Sequence, residues 1–156
     1  MVPSSRRAGI RKPAYFRSRD PRVEVYSMEF DHQVTAILPV IDMARARRFY
    51  EQQLGLKAGA LKPDGKFVYH CGGTEIALFP RPGGTKAEHT ALSFRVGDIR
   101  AAIRELEGRG VRFADYDLPG LKTVEHVCVL GSEKAAWFQN PEGNILCLHE
   151  DIGHGT

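Results

Sequence analysis

The stretch that decides the fold is residues 34–55, which read "VTAILPVIDMARARRFYEQQLG". It opens with a β-branched, apolar run that predicts a strand. Asp42 follows the run as a helix N-cap, because an Asp carboxylate accepts hydrogen bonds from the N–H groups of the first turn. Apolar residues then recur at helical spacing up to Gly55, which stands where a C-cap glycine belongs. The stretch therefore predicts a strand followed directly by an amphipathic helix.

The same pattern returns in the second half of the chain. Residues 90–99 read "TALSFRVGDI" and contain Asp98, after which apolar residues recur at helical spacing until Gly108 and Gly110. Asp98 lies 56 residues after Asp42, and Gly110 lies 55 residues after Gly55. A shared offset across strand, cap, helix and stop indicates an internal duplication.

Three short strand candidates follow each predicted helix. They are residues 56–61, 66–71 and 74–79 in the first half, and residues 111–116, 125–130 and 144–150 in the second. The last candidate follows a loop that starts at residue 137 and a turn that Pro141 and Gly143 favour. Each half reads β-α-β-β-β, with module one at about 33–80 and module two at about 88–150. Neither module buries enough surface alone, so we predict an α+β domain in which the two modules pack together.

Length and composition bound the class of protein. The chain has 156 residues, of which 42% are hydrophobic and 26% are charged, as in ordinary globular domains. No apolar run approaches the ~20 residues of a membrane span, so no membrane partner is expected. Cys71, Cys128 and Cys147 are widely separated and have no CxxC spacing, which favours a reducing, cytoplasmic location over a disulfide scaffold.

Residues 1–27 differ from the rest of the chain in charge. They hold seven Lys and Arg residues against Asp20 and Glu24, whereas the remainder is mildly acidic. The segment has no amphipathic period and no apolar signal-peptide core, so we predict a disordered arm that binds no nucleic acid. The folded domain is then residues 28–150, and residues 151–156 form a flexible tail. Because Met28 opens the folded part, the arm could be missing from the cellular protein.

Four stretches together resemble the vicinal oxygen chelate superfamily, which includes glyoxalase I, bleomycin-resistance proteins, extradiol dioxygenases and methylmalonyl-CoA epimerase. They are "LPVIDMARARRFYEQQLGL", "SFRVGDIRAAIRELEGRGVRF", "YDLPG" and "AAWFQNPEGNILCL". The resemblance covers residues 34–150. It implies two tandem βαβββ modules that form a curved mixed sheet around a ligand cleft, which is the glyoxalase/bleomycin-resistance fold. It also implies a homodimer, with modules that pair either within one chain or across two.

The resemblance further implies four metal-ligand positions, which hold His, Gln or Glu in the family's enzymes. The matching positions of this sequence hold Thr35, Ala77, Ala91 and Cys147. Alanine has no donor atom, and a threonine hydroxyl is a poor ligand for Zn²⁺, Ni²⁺ or Fe²⁺. One thiolate does not make a metal site, so we expect no metal ion and no other cofactor.

A displaced metal site is the alternative. Glu75, His89 and His149 lie two residues from the expected positions and share their faces, because side chains alternate along a strand. In the implied parallel pairing, however, His89 and His149 are shifted in opposite directions and end up roughly 13 Å apart. Ligands of one metal ion lie far closer together, which favours two strand-end histidines near solvent.

Without a metal, the cleft is lined by apolar and aromatic side chains with a few polar groups, as small-molecule sites are. The predicted ligand-binding residues are Thr35, Ile37, Tyr69, Phe79, His89, Ala91, Ser93, Trp137 and Cys147. Trp137 follows two alanines, and it could line the cleft or plug the core between the modules.

Three functions fit these residues. The first is binding of a small aromatic or amphipathic molecule, as in the family's antibiotic-sequestering members. The second is a glyoxalase-, dioxygenase- or epimerase-type enzyme with a displaced metal or a metal-free acid/base mechanism. In that case Cys147 could act as a nucleophile, or Tyr116 and Asp117 as an acid/base pair. The third is a structural dimer whose cleft is filled by its own side chains.

Overall fold

The computed structural model describes residues 16–17, 24–25, 33–57 and 59–153. Residues 1–32 and 33–156 form two separate units. In the first unit, strand β1 (Phe16–Arg17) pairs antiparallel with β2 (Glu24–Val25). The other residues of the predicted disordered arm lie outside the described residues, so that expectation stays a prediction.

The first βαβββ module follows the predicted order. It consists of β3 (Val34–Val40), α1 (Met43–Arg48) with a π-helical turn (Phe49–Gln53), β4 (Ala60–Leu61), β5 (Phe67–Cys71) and β6 (Thr74–Pro80). The strands form one sheet in the order β3-β6-β5-β4, with β3 parallel to β6. The Asp42 carboxylate accepts a hydrogen bond of 3.0 Å from Arg45 N–H, and Gly55 has a φ of +76°. Both predicted helix signals are confirmed.

The second module repeats this arrangement with one inserted hairpin. It consists of β7 (Thr90–Arg95), α2 (Ile99–Gly108), the hairpin β8 (Asp117–Leu118) and β9 (Leu121–Lys122), then β10 (Cys128–Leu130), β11 (Glu133–Gln139) and β12 (Ile145–Asp151). Its sheet has the order β10-β11-β12-β7, with β7 parallel to β12. Asp98 caps α2 by accepting a hydrogen bond of 3.0 Å from Ala101 N–H. The predicted mixed α+β fold is therefore present as two four-stranded sheets.

Two strand predictions in the second module were wrong. Residues 111–116 form no strand and touch the sheet only through a bridge between Phe113 and Phe138. Conversely, β11 was missed and its residues 137–139 were predicted as a loop, although the strand pairs along its whole length with β12. Its sequence "EKAAWFQ" is rich in residues with low strand propensity, so this strand depends on its partner strands rather than on local preference. Strand β12 also extends to Asp151, one residue into the predicted tail.

The core lies on the side of both sheets that faces the helices. Leu38 and Val40 of β3, Leu146 and Leu148 of β12, and Phe138 of β11 belong to one cluster of buried side chains. Because side chains alternate along a strand, the intervening residues of these strands point to the opposite sheet faces. Those faces carry the residues that the sequence singled out. Within the described residues, no helix is long and apolar enough to cross a membrane.

The turn at residues 140–144 fastens the second module to the first. The Asn140 side chain accepts hydrogen bonds from the backbone N–H groups of Glu142 (3.1 Å) and Asn144 (2.9 Å), and its amide donates to the Tyr50 hydroxyl (2.9 Å). The Glu142 carboxylate, which is fully buried, accepts from Ile41 N–H at 2.6 Å and from Arg45 Nη2 at 2.8 Å. We call this set of contacts the turn clamp. It links the turn before β12 to the start of α1.

Candidate functional site

The outer face of the first sheet carries two of the predicted residues from β3. Thr35 pairs with Glu75 across the parallel ladder, and its hydroxyl donates a hydrogen bond of 3.1 Å to the Glu75 carboxylate. Ile37 pairs with Ala77, and its side chain is 54% exposed. Phe79 follows on the same face of β6 and is half-buried. This face is open, with an apolar centre and one carboxylate.

The outer face of the second sheet joins Ser93, Cys147 and His149. Ser93 and Cys147 are direct partners across the parallel ladder, and Ser93 Oγ lies 2.6 Å from His149 Nδ1. Burial raises the pKa of the Cys147 thiol above its ordinary value, although the neighbouring Ser93 hydroxyl opposes this shift. A thiol with a raised pKa is largely protonated at neutral pH and is a weak nucleophile. Ser93, Cys147 and His149 therefore form a hydrogen-bonding surface rather than a nucleophilic centre.

Trp137 is the ladder partner of Cys147, but its ring contacts residues outside the predicted set. Its indole Nε1–H donates a hydrogen bond of 3.2 Å to Thr90 Oγ1, and its ring meets Tyr116 edge to face at 5.7 Å between centroids. Both aromatic rings line a cavity of about 540 Å³, which we call the aromatic groove. Its lining is Phe49, Gln53, Gly110, Val111, Arg112, Phe113, Ala114, Tyr116, Trp137, Phe138, Gln139, Asn140, Pro141 and Ile145. Of the nine predicted ligand-binding residues, only Trp137 lines it.

Three predicted site residues lie away from the open faces or at their margin. Tyr69 was wrongly placed in the cleft, because it is fully buried on the core side of β5 and its hydroxyl donates to Glu51 at 2.9 Å. Ala91 stands at an irregularity in the pairing of β7 with β12 and packs against the core. His89 is an exposed loop residue just before β7.

The groove residues that the sequence did not single out come from three segments. Gln53 ends the π-helical turn after α1, Arg112 lies in the loop after α2, and Gln139 ends β11. In "VRF" (111–113) Val111 and Phe113 are buried and Arg112 is exposed, so the alternation signals an outward Arg112. Nothing in the local sequence says which surface it faces, because that depends on the bridge between Phe113 and Phe138.

The residues at the four expected metal positions do not fit a metal ion. The register pairs Thr35 with Glu75, Ala77 with Ile37, and Cys147 with Ser93, so each ladder pair supplies at most one strong donor. Among the described residues, no group of three His, Cys, Asp or Glu side chains is placed to hold a metal ion. Structural zinc sites use four such ligands and catalytic sites use three. No chemistry at these positions is therefore assigned to a metal.

Comparison with known families agrees with the fold. The chain belongs to the Glyoxalase/Bleomycin resistance protein/Dioxygenase superfamily, whose family model matches residues 29–148. That range spans both modules and includes the turn clamp.

Several solved structures share the fold. TnmS3, an antibiotic binding protein from Streptomyces sp. CB03234, is 24% identical with a TM-score of 0.61, and the match covers 80% of this chain and 99% of that one. A glyoxalase family protein from Bacillus anthracis is 23% identical with a TM-score of 0.59, covering 83% and 99%. A glyoxalase/bleomycin resistance protein/dioxygenase from Nocardioides is 17% identical with a TM-score of 0.58, covering 83% and 89%. At these identities the likeness shows the fold alone. No curated protein matches the chain in sequence.

Proposed function

We propose that this protein binds a small aromatic or amphipathic molecule without a metal ion, at the aromatic groove. The observation that carries the proposal is the edge-to-face pair of Trp137 and Tyr116 in the wall of a cavity of about 540 Å³. Ligand sites of small molecules have volumes of about 300–1,000 Å³ and combine aromatic walls with a few polar groups. Gln53 and Gln139 supply such polar groups here. The fold shared with an antibiotic binding protein is consistent with this proposal.

An enzymatic function has one observation in its favour, the contact of 2.6 Å between Ser93 and His149 beside Cys147. A hydroxyl and an imidazole at this distance can exchange a proton. The raised pKa of Cys147 opposes nucleophilic catalysis, and the expected metal positions lack donors. Binding is therefore the function that the described residues support best.

The binding proposal predicts that Trp137 reports on the ligand. Planar aromatic compounds should quench or shift its fluorescence saturably, because it is the only tryptophan and lines the groove. A Trp137→Phe variant keeps a smaller ring and should weaken binding about fivefold, as measured by calorimetry, since an aromatic pair contributes about 1 kcal/mol. EDTA should change neither the affinity nor the melting temperature, because no metal ion is linked to folding or binding.

Two results would contradict this proposal. If no compound in a broad panel of planar aromatics altered Trp137 emission, the groove would not be a ligand site. If EDTA lowered the affinity and Zn²⁺, Ni²⁺ or Fe²⁺ brought it back, the enzyme with a displaced metal site would be supported instead.

We also propose that two copies of the chain pair through the open sheet faces. Strand β3 is an edge of the first sheet, and β7 and β10 are the edges of the second. Ile37 on β3 and Leu130 on β10 are exposed apolar residues on these faces. Exposed strand edges and apolar faces are commonly covered by another chain, and a two-fold pairing is the commonest solution.

The dimer proposal predicts a mass of two chains in size-exclusion chromatography with light scattering. An Ile37→Glu variant should dissociate into folded monomers, because Ile37 is exposed in the single chain and its replacement disturbs no core contact. A Leu118→Glu variant is the matched control, since Leu118 is equally exposed but lies on the β8–β9 hairpin. A wild-type monomer at all concentrations would refute the pairing.

A further inference from the structure

We infer that the ligand of the aromatic groove carries an anionic group, such as a carboxylate, sulfonate or phosphate, which Arg112 and Arg48 hold. This inference rests on the proposed binding function and adds the chemical class of the ligand. It is carried by the distribution of charge around the groove, where arginine side chains outnumber the carboxylates that pair with them among the described residues.

Arg112 is the only formally charged residue among the fourteen that line the aromatic groove. The side chain is exposed, because its neighbours Val111 and Phe113 take the two buried positions of this segment. Within the part of the chain that the structure describes, no carboxylate lies at ion-pair distance from Arg112. The groove therefore presents a positive charge without a neutralising partner there.

A second cavity, of about 480 Å³, adjoins the groove and shares Phe49, Gln53 and Pro141 with it. Its other lining residues are Arg45, Arg48, Gln52 and Arg109. Three of these seven residues are arginines, and none is acidic. We call this cavity the arginine pocket.

Two of the three arginines in this pocket have carboxylate partners. Arg45 is paired with the buried Glu142 in the turn clamp, and Arg109 is paired with Glu105 one turn earlier on α2. Arg48 is exposed at the end of α1, and no described carboxylate pairs with it. Among the arginines of the two cavities, Arg48 and Arg112 are therefore the two that no described carboxylate neutralises.

The loop that carries Arg112 is held close to the end of the first helix. The Gln53 amide donates a hydrogen bond of 3.1 Å to Arg109 O, and a Cβ at Gly110 would lie 3.2 Å from Gln53 Nε2. Gly110 also has a φ of +88°, a conformation that favours glycine. The close approach fixes Arg112 beside the cavity rather than leaving it on a mobile tip.

An aromatic acid is the class of ligand that matches both the aromatic rings of the groove and the arginines beside it. Trp137 and Tyr116 present ring surfaces to a planar group, and a guanidinium binds an oxyanion through paired N–H donors. A neutral aromatic molecule would gain from the rings alone. A cationic aromatic molecule would be repelled by Arg112, and no described carboxylate at ion-pair distance offsets that repulsion.

The test compares two fluorescent probes that share one ring system. Anilinonaphthalenesulfonate carries a sulfonate, whereas N-phenylnaphthylamine has no charge. We expect the sulfonate to bind the full-length protein about five- to tenfold more tightly, with an advantage that shrinks as salt screens the charges. Arg112→Gln should weaken binding of the sulfonate more than binding of the neutral probe, and so remove most of this advantage. Arg48→Gln should also reduce the preference for the sulfonate over the neutral probe.

Arg104→Gln is the matched control. Arg104 is an exposed arginine on α2 that lines a different cavity, beside Glu107 and His126, so its loss should leave both affinities unchanged. Equal affinities of the two probes in the wild-type protein would overturn the inference while the binding function stood. Equal weakening of both probes by Arg112→Gln would also overturn it, because Arg112 would then support the shape of the groove. If neither probe bound, the proposed function would fail as well.

Discussion

Replacing Glu142 with alanine should lower the free energy of unfolding by about 3 kcal/mol, because the change leaves buried donors without an acceptor. The Glu142 side chain is fully buried and accepts hydrogen bonds from Ile41 N–H and from two nitrogens of Arg45. Arg45 is 42% exposed, so water can rehydrate its charge in the variant, which limits the loss. The effect should appear as a lower midpoint in urea unfolding.

Glu105→Ala is the matched control for this prediction. Glu105 also pairs with an arginine, Arg109, but both side chains are largely in solvent and lie one helical turn apart. Exposed pairs of this kind contribute about 0.5 kcal/mol or less. Equal losses in the two variants would mean that the turn clamp does not hold the modules together.

The sequence predicted the elements that depend on local chemistry. Asp42 and Asp98 cap their helices as expected, since an N-cap bond involves only residues three positions apart. The duplicated pattern also predicted two modules, and the family resemblance implied that the first and last strands of each module pair in parallel, which they do. It did not predict β11, whose strand conformation comes from pairing with β12 along seven residues.

The candidate site was predicted only in part, for a related reason. Alternation along strands assigns a face to a residue such as Ile37 or Ser93, but it does not say which faces border a cavity. Trp137, which the sequence placed either in the cleft or in the core, lines the groove. Arg112 and Gln53 were missed, because the groove forms where the loop after α2 meets the end of α1. That meeting is set by the packing of the two modules.

The turn clamp and the groove share residues, so stability and binding are connected. Asn140 and Pro141 line the groove, while the neighbouring Glu142 points away from it into the contact with α1. The clamp thus fixes the part of the groove wall that Asn140 and Pro141 form. Because this wall is built from a turn rather than from a strand, its position depends on the hydrogen bonds of Asn140. A loss of the clamp should therefore weaken ligand binding even without contact to the ligand.

Neighbouring residues of β11 offer the sharpest test of whether the groove is a ligand site or part of the core. Phe138 is 1% exposed and packs against Phe113 and Phe49, with ring centroids 5.3 and 6.4 Å away. Trp137 points to the other face and is half-buried, and within the described part of the chain Tyr116 is the one aromatic ring that its indole meets. Both side chains border the groove, but Phe138 belongs to the buried core and Trp137 lies half-buried on the other face of the strand.

Phe138→Ala should therefore cost about 3–5 kcal/mol of unfolding free energy, since it leaves a cavity in the core that both modules share. Trp137→Ala should cost about 2 kcal/mol, because the indole loses one hydrogen bond and one aromatic contact that contribute about 1 kcal/mol each. The same Trp137→Ala variant should lose most of its affinity for planar aromatic ligands in calorimetry. If Trp137→Ala instead lowered stability as much as Phe138→Ala, the indole would be a core plug. The chain would then fit a structural dimer better than a binding protein.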